Sequence, residues 1–351
     1  MKPRKGSIIF VLLLIQILGL VTIWSTAPNL FATQFSFFVS SVIIIFLISQ
    51  VDIDLLFSLS GALYVTSIIL LLLTAVIGKN IRGSVRWIDL GFFNLQTSEI
   101  VKPLLAIFYS QFLSKNNLKS MKSFALFMVL AIIPVVLVAR QPDLGSALTL
   151  LFLPIALLSI TGHLKRLLVI GVVAAAILIP LESKFLKPYQ RQRIESFINP
   201  YKDPKGAGYN VIQATIAIGS GELWGKGVRL GTQSQLNYLP ERHTDFIFAS
   251  FAEEFGFLGI AVLFSAYYFL FSRYLRISSL LRQKSHVLLS LSVFFVFLFQ
   301  TVVNIGMNLG VMPVTGITLP IFSYGGSSLL SFAILIGLEL RLLDLMTPFE
   351  I

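Results

Sequence analysis

The densest group of polar side chains in the sequence lies between residues 231 and 248, directly before a long apolar segment. Its members carry amide, guanidinium, imidazole and carboxylate groups, which can donate or accept hydrogen bonds to a polar ligand: Gln233, Gln235, Asn237, Glu241, Arg242, His243 and Asp245. Asp245 comes last, at the start of the apolar segment. It is either a helix N-cap, a frequent role of Asp, or a carboxylate that acts on a substrate head group at a membrane surface.

Charged residues also occur inside the apolar segments. Glu99 and Lys102 are three residues apart and share one helical face. Charged side chains within a membrane usually face a cavity or pair with each other, so we interpret these two as a buried ion pair or as part of a cavity. Asp143, in QPDLGSAL, opens a predicted helix, where a carboxylate complements the helix dipole.

Glu253 and Glu254 are adjacent near one end of another predicted helix. We expect at least one of them to face the interior of the helix bundle. Because neighbouring residues point about a quarter-turn apart, they do not form an obvious acid–base pair of carboxylates.

A basic loop at 78–97 carries Lys79, Arg82 and Arg86 next to Trp87. Arg binds phosphate through its forked donors, so this loop is a candidate site for an anionic substrate. Trp87 could stack on a sugar or anchor the loop at a membrane surface, and contact with lipid headgroups explains the loop equally well.

Other chemistries are not supported. The chain has no cysteine, and its histidines His163, His243 and His286 lack a metal-ligand spacing. The glycine-rich segment 219–227 (GSGELWGKG) does not fit the spacing or the context of a nucleotide-binding loop. The net charge of +11 is accompanied by no nucleic-acid motif, and we predict no nucleic-acid partner.

The elements that position these residues are predicted to be membrane helices. The chain is 56% hydrophobic and 12% charged, and apolar runs of about 20 residues recur along it, enough to cross a bilayer. We predict an all-α, polytopic membrane protein in one domain, 1–351, with ten spans near 7–24, 35–49, 55–77, 98–113, 122–139, 146–161, 166–181, 246–272, 287–309 and 320–343.

Lys and Arg are concentrated in one set of short loops and at the termini, thirteen against four in the opposite loops. This asymmetry predicts that both termini are cytoplasmic. The long loop at about 182–245 would then face outward. Within it, residues 189–198 show helical spacing, and 209–218 is apolar but too short to span.

Four segments resemble successive signature blocks of the SEDS family: GSVRWIDLGFFNLQTSEIVKPLL, QPDLGSAL, GTQSQLNYLPERHTDFIFASFAEEFGFLG and MNLGVMPVTGITLPIFSYGGSSLL. The blocks run from about residue 82 to 331. The motifs PVTG and NYLPERHTDF are more similar to the elongation branch, RodA, than to the division branch, FtsW. A sporulation-type role stays open.

The resemblance implies a peptidoglycan glycosyltransferase that polymerises lipid II and releases undecaprenyl pyrophosphate. The essential Asp of the family matches Asp245, its membrane ion pair matches Glu99 and Lys102, its cavity Asp matches Asp143, and its loop Trp matches Trp87. The resemblance implies no certain cofactor and leaves room for a divalent cation, Mg²⁺ or Mn²⁺.

The implied partners are a class B penicillin-binding protein with transpeptidase activity and the elongation machinery, at the bacterial cytoplasmic membrane. Two alternatives are a lipid II flippase and a scaffold without catalytic activity. A transporter would carry its polar groups at mid-membrane more often than at one surface, which favours the enzyme.

Overall fold

The computed structural model describes residues 3–81, 84–91, 93–178, 188–204, 206 and 208–346. Most of the described chain is helical. The helices are α1 (Lys5–Thr26), α2 (Phe31–Ser49), α3 (Ile53–Ser58), α4 (Ser60–Ile77), α5 (Thr97–Lys115), α6 (Met121–Arg140), α7 (Leu144–Leu158), α8 (Leu164–Leu178), α9 (Pro188–Ile198), α10 (Tyr209–Ser220), α11 (Thr232–Gln235), α12 (Ile247–Leu280), α13 (Lys284–Asn308) and α14 (Gly326–Asp344).

Each of the ten predicted spans contains a helix. Eight helical segments of the described chain are long and apolar enough to cross a membrane. The count is lower than ten for two reasons. Helices α7 and α8 form one continuous apolar stretch, broken where Gly162 adopts φ 88°. Helix α5 is less apolar because Glu99, Lys102 and Gln111 interrupt it. The chain is therefore a polytopic helical membrane protein.

The two chain ends meet at one end of the bundle. The Lys5 ammonium lies 2.6 Å from Asp344 Oδ2, which joins the start of α1 to the end of α14. The opposite end carries the connections 78–96 and 208–246, and we call it the loop end. A chain that begins and ends on the same side of the bundle crosses it an even number of times, which agrees with the ten predicted spans.

Helix α5 lies at the centre of the bundle, against α4, α7, α13 and α14. Its side chains are buried along almost its whole length, so its polar residues face protein rather than lipid. One hydrophobic core extends from Ile8 in α1 to Met346 after α14. Helix α14 packs extensively against α2.

A small antiparallel sheet closes the loop end beside α5. It consists of β1 (Lys79–Ile81), β2 (Ser84–Asp89) and β3 (Asn94–Gln96), in the order β1-β2-β3. Trp87 pairs with Lys79 on one side and Gln96 on the other. We predicted no strand here, because runs of three to six residues give too little alternation to be recognised.

The long loop contains ordered helices. Helix α9 occupies the stretch where helical spacing was predicted, and α10 occupies the short apolar stretch. Helix α10 packs on α12 and α13 through Val211, Ala214 and Ala217, which are buried. It thus covers the loop end of the bundle.

Candidate active site

The glycine-rich segment 219–227 packs into a kink of α12. Gly256 has φ 63° and ψ −164°, which breaks the helix. The freed amides of Phe257 and Leu258 donate to the carbonyls of Glu222 and Leu223, at 2.8 and 3.2 Å. A Cβ on Gly256 would lie 2.3 Å from the backbone nitrogen of Gly225, so glycine is required there. Gly221, Gly225 and Gly256 thus serve close backbone packing.

Glu253 fixes the first half of the polar cluster. Its buried carboxylate accepts hydrogen bonds from the backbone amides of Gln233 (2.8 Å) and Ser234 (3.1 Å), at the start of α11. The Ser234 hydroxyl donates to it at 2.5 Å, and the Lys226 ammonium lies 3.1 Å away. The carboxylate thus orders residues 226–235 against α12.

Glu254 ties the same loop to the end of α1. Its carboxylate accepts from the Ser25 hydroxyl and, at 3.3 Å, from the backbone amide of Arg229. The Gln235 amide donates to the Ser25 carbonyl at 3.1 Å. The Arg229 guanidinium lies 3.9 Å from the ring centroid of Trp24. Gln235, a predicted substrate contact, therefore also holds the loop to α1.

Arg242 makes a second attachment to α1. Its Nε donates to the Thr26 carbonyl at 2.8 Å, and Nη1 donates to the side chain of Asn237. Burial lowers the pKa of Arg242 from its ordinary value. The ring of His243 packs edge-on against Tyr324, 5.6 Å between centroids. The predicted sugar-binding residues are thus together in space, and their roles toward a substrate remain predictions.

Asp245 lies in the turn that leads into α12, and it is half-buried. The N-cap position belongs to Phe246, whose side chain makes no capping bond. The backbone carbonyl of Asp245 accepts from the side-chain amides of Asn304 and Asn308, each at 3.0 Å. The helix-cap interpretation of Asp245 gains no support, and its main chain is held by α13.

The segment Thr315–Ile317 lies in space between Asp245 and the start of α7. A Cβ on Gly316 would lie 3.5 Å from Asp245 Oδ2. A Cβ on Gly145, near the start of α7, would lie 2.8 Å from the Thr315 carbonyl oxygen. The Thr315 carbonyl accepts a hydrogen bond from Arg193 Nη1 of α9, at 3.4 Å. The start of α7, the Asp245 turn and α9 therefore surround one segment.

Asp143 caps α7 at this place. Its Oδ1 accepts from the backbone amide of Ser146 at 3.2 Å. Its Oδ2 accepts from the side chains of Gln96 (2.7 Å) and Ser98 (3.0 Å). Arg86 Nη1 lies 3.5 Å from Oδ1. The Asp143 carboxylate is only 2% exposed, and these hydrogen bonds and the ion pair compensate its burial. They join the sheet to α5 and α7.

Arg86 presents its guanidinium between Asp143 and Trp87. The guanidinium lies 4.2 Å from the ring centroid of Trp87. Its Nε is buried without a hydrogen-bond partner, so one donor remains unused. Lys79 instead contacts Asp89 at 2.8 Å at the exposed side of the sheet, and this hydrogen bond lowers the pKa of Asp89. Arg82 lies outside the described residues.

Glu99 and Lys102 form an ion pair within α5. Lys102 Nζ lies 2.5 Å from Glu99 Oε2, and the Lys102 side chain is fully buried. The ammonium also faces the ring of Phe332 at 5.2 Å. The Ser331 hydroxyl donates to the Glu99 carbonyl at 2.7 Å. The Lys102 ammonium and the Glu99 main chain thus both contact α14.

Four polar residues around the two aspartates escaped the sequence analysis: Gln96, Ser98, Asn304 and Asn308. The asparagines had a usable signal, because two amides four residues apart share one face of an otherwise apolar helix. In the described part of the chain, no three His, Asp or Glu side chains are grouped so as to hold a metal ion.

The fold and the site define a polytopic membrane protein with a polar site at one end of its bundle. Residues 5–345 match the family model FTSW_RODA_SPOVE, described as cell cycle protein, and the chain belongs to this family. It is 36% identical to the peptidoglycan glycosyltransferase MrdB of Escherichia coli K12, over 92% of this chain and 89% of the relative.

Two solved structures are similar over almost the whole chain. One is a chain from a study of the structural coordination of polymerization and crosslinking by a peptidoglycan synthase complex. Its TM-score is 0.83 at 36% identity, with 97% of each chain covered. The other is the rod shape determining protein RodA of Thermus thermophilus, with a TM-score of 0.75 at 29% identity and 98% of each chain covered.

Proposed function

We propose that this chain is a peptidoglycan glycosyltransferase of cell elongation, which polymerises lipid II into β-1,4-linked glycan strands. The observation that carries the proposal is the similarity, over most of both chains, to a relative named peptidoglycan glycosyltransferase. The site supports it, because the polar groups gather at one end of a membrane-embedded bundle. A lipid-linked sugar presents its head group at such a surface.

The reaction is a single displacement at the anomeric carbon of the donor sugar. The 4-hydroxyl oxygen of the acceptor attacks this carbon, and the bond from the carbon to the pyrophosphate oxygen breaks. Undecaprenyl pyrophosphate leaves with the electron pair, and the α-linked donor gives a β bond. The carboxylate of Asp245 takes the proton of the attacking hydroxyl as a general base.

The leaving pyrophosphate gains negative charge as its bond breaks, and positive side chains at that point stabilise the transition state. Arg86 is the best-placed candidate among the described residues of the basic loop. Its contact with Asp143 orients the guanidinium at the loop end, and its buried Nε has no hydrogen-bond partner and is free to donate to a phosphate oxygen. Trp87, stacked beside it, offers a flat face for a sugar.

A divalent cation, Mg²⁺ or Mn²⁺, fits the described residues only in a limited form. Among the residues that the structure describes, no group of three or more His, Asp or Glu side chains could enclose one. Mg²⁺ is often bound by one or two carboxylates together with substrate phosphates. Asp245 with pyrophosphate oxygens would be such a set, and the cation would supply further charge neutralisation there.

The loop end would face outward from the bacterial cytoplasmic membrane, with both termini in the cytoplasm. The excess of Lys and Arg near the termini and in the connections on their side supports this orientation. A class B penicillin-binding protein is the proposed partner, as a polymerase needs a neighbour that crosslinks. The eighth and ninth predicted spans, which contain α12 and α13, and the long loop at about 182–245 would contact it.

The test is polymerisation of purified lipid II by the purified protein in detergent, with and without a class B penicillin-binding protein. We expect glycan strands in at least one condition, and a parallel reaction with EDTA measures the need for a cation. Detergent leaves no two compartments, so a flippase would make no product. A folded protein that forms no polymer in either condition would contradict the enzyme proposal.

A further inference from the structure

Two buried asparagines of α13 hold the backbone of the proposed catalytic Asp245. Asn304 and Asn308 are both fully buried, near the loop end of the helix. Their Nδ2 groups both donate to the carbonyl oxygen of Asp245, at 3.0 Å. Desolvating an amide without hydrogen bonds is costly, so such a pair in an apolar helix requires a compensating contact. The Asp245 carbonyl provides it.

Asn304 also fixes the segment that lies against the Asp245 carboxylate. Its Nδ2 donates to the Ile317 carbonyl at 2.7 Å. One amide therefore bridges the Asp245 turn and the segment Thr315–Ile317. Within that segment, Gly316 has φ 75° and leaves room next to Asp245 Oδ2, which a Cβ would approach to 3.5 Å. This pair of hydrogen bonds sets the distance between the Asp245 turn and the segment Thr315–Ile317.

Asn308 performs a capping function from a different helix. Its Oδ1 accepts from the backbone amide of Ala249, in the first turn of α12, at 3.1 Å. The first amides of a helix need such acceptors, and a residue at the start of the helix usually supplies one. Here the N-cap residue is Phe246, which cannot. The Ala249 amide is thus satisfied from α13.

We propose that Asn304 and Asn308 are positioning residues for glycan polymerisation, which hold the Asp245 main chain so that its carboxylate meets the acceptor hydroxyl. The inference rests on the proposed function. Displacements of about 1 Å at a reacting group cost on the order of a hundredfold in rate. Loosening this clamp should therefore lower kcat and leave the KM for lipid II nearly unchanged, because both asparagines are fully buried and bond to the protein main chain.

The test compares Asn304→Leu with Gln300→Leu. Gln300 is a matched control, since it is a buried amide one turn earlier on α13, bonded to Thr149 at 3.5 Å. We expect Asn304→Leu to lose roughly ten- to a hundredfold in kcat per folded molecule. We expect Gln300→Leu to keep wild-type kcat. Asn304→Gln keeps the donor group one methylene away, and it should recover part of the loss.

The outcomes separate this proposal from the proposed function. If the wild type polymerises lipid II and Asn304→Leu keeps its kcat, the positioning role is wrong and the function stands. A loss of equal size in Gln300→Leu would also overturn it, because the effect would then be general packing. If Asn304→Leu fails to fold, Asn304→Gln decides: wild-type kcat overturns the proposal, and reduced kcat at unchanged KM supports it. A wild type without activity overturns both proposals.

Discussion

The guanidinium of Arg86 lies 3.5 Å from the carboxylate of Asp143, although the two residues belong to the sheet and to the start of α7. Asp143 is buried, and it is also bonded to Gln96, Ser98 and the Ser146 amide. The ion pair therefore fixes the basic side chain relative to the helix bundle. It gives the sheet β1–β3 a defined position beside the proposed site.

Neutralising Arg86 should weaken use of the donor more than use of the acceptor. In Arg86→Gln the developing charge of the pyrophosphate loses its partner, so donor turnover should fall by roughly ten- to a hundredfold. Each factor of ten corresponds to about 1.4 kcal/mol of lost transition-state stabilisation. Arg86→Lys keeps the charge without the fork and should lie between. Polymerisation rates at varied donor and at varied acceptor measure the difference, and equal losses would return Arg86 to a lipid-contact role.

Asp245→Asn should keep the fold and abolish most activity. Asn preserves the size and most hydrogen-bonding capacity of the side chain, but it cannot accept the proton. We expect a rate loss of at least about a hundredfold, the low end for general-base catalysis, in polymerisation by the purified protein with an unchanged melting temperature. A near-normal rate would show that the base lies elsewhere, and Glu241 and Asp143 would be tested next.

The Glu99–Lys102 ion pair should be needed as a pair. Glu99→Ala leaves the fully buried Lys102 without its counter-ion, which costs about 3–5 kcal/mol. The exchanged variant, Glu99→Lys with Lys102→Glu, should recover much of that stability. Unfolding in detergent measures both. A stable but inactive exchanged variant would assign directional roles in the cavity to the two residues.

Gly256→Ala should destabilise the loop end. Alanine at φ 63° and ψ −164° is strained by about 1–3 kcal/mol, and its Cβ would meet the Gly225 nitrogen at 2.3 Å. Gly219→Ala is the control, because a Cβ there meets nothing within 4 Å and alanine favours the helix by about 0.5–1 kcal/mol. Thermal unfolding should show a loss for the first variant and no loss for the second.

Several local features of this protein could be predicted from its sequence, although the short strands β1–β3 could not. Apolar runs of about 20 residues identify membrane helices, and a helix occupies every predicted span. Glu99 and Lys102 face each other because a separation of three residues fixes their geometry within one helix. Asp143 caps α7 because its position directly before the helix suffices for that bond. All of these depend only on neighbouring residues.

Contacts between distant parts of the chain were decided by the tertiary structure. Gln235 and Arg242 bond to Ser25 and Thr26, more than 200 residues away, and no periodicity in the sequence encodes such a pairing. The Ala249 amide in the first turn of α12 donates to Asn308 on another helix, and the N-cap position belongs to Phe246. The location of Asp245 shortly before α12 was therefore not sufficient to predict a capping role. Helix packing selects these partners, because a buried polar group bonds to whichever donor or acceptor the fold brings within reach.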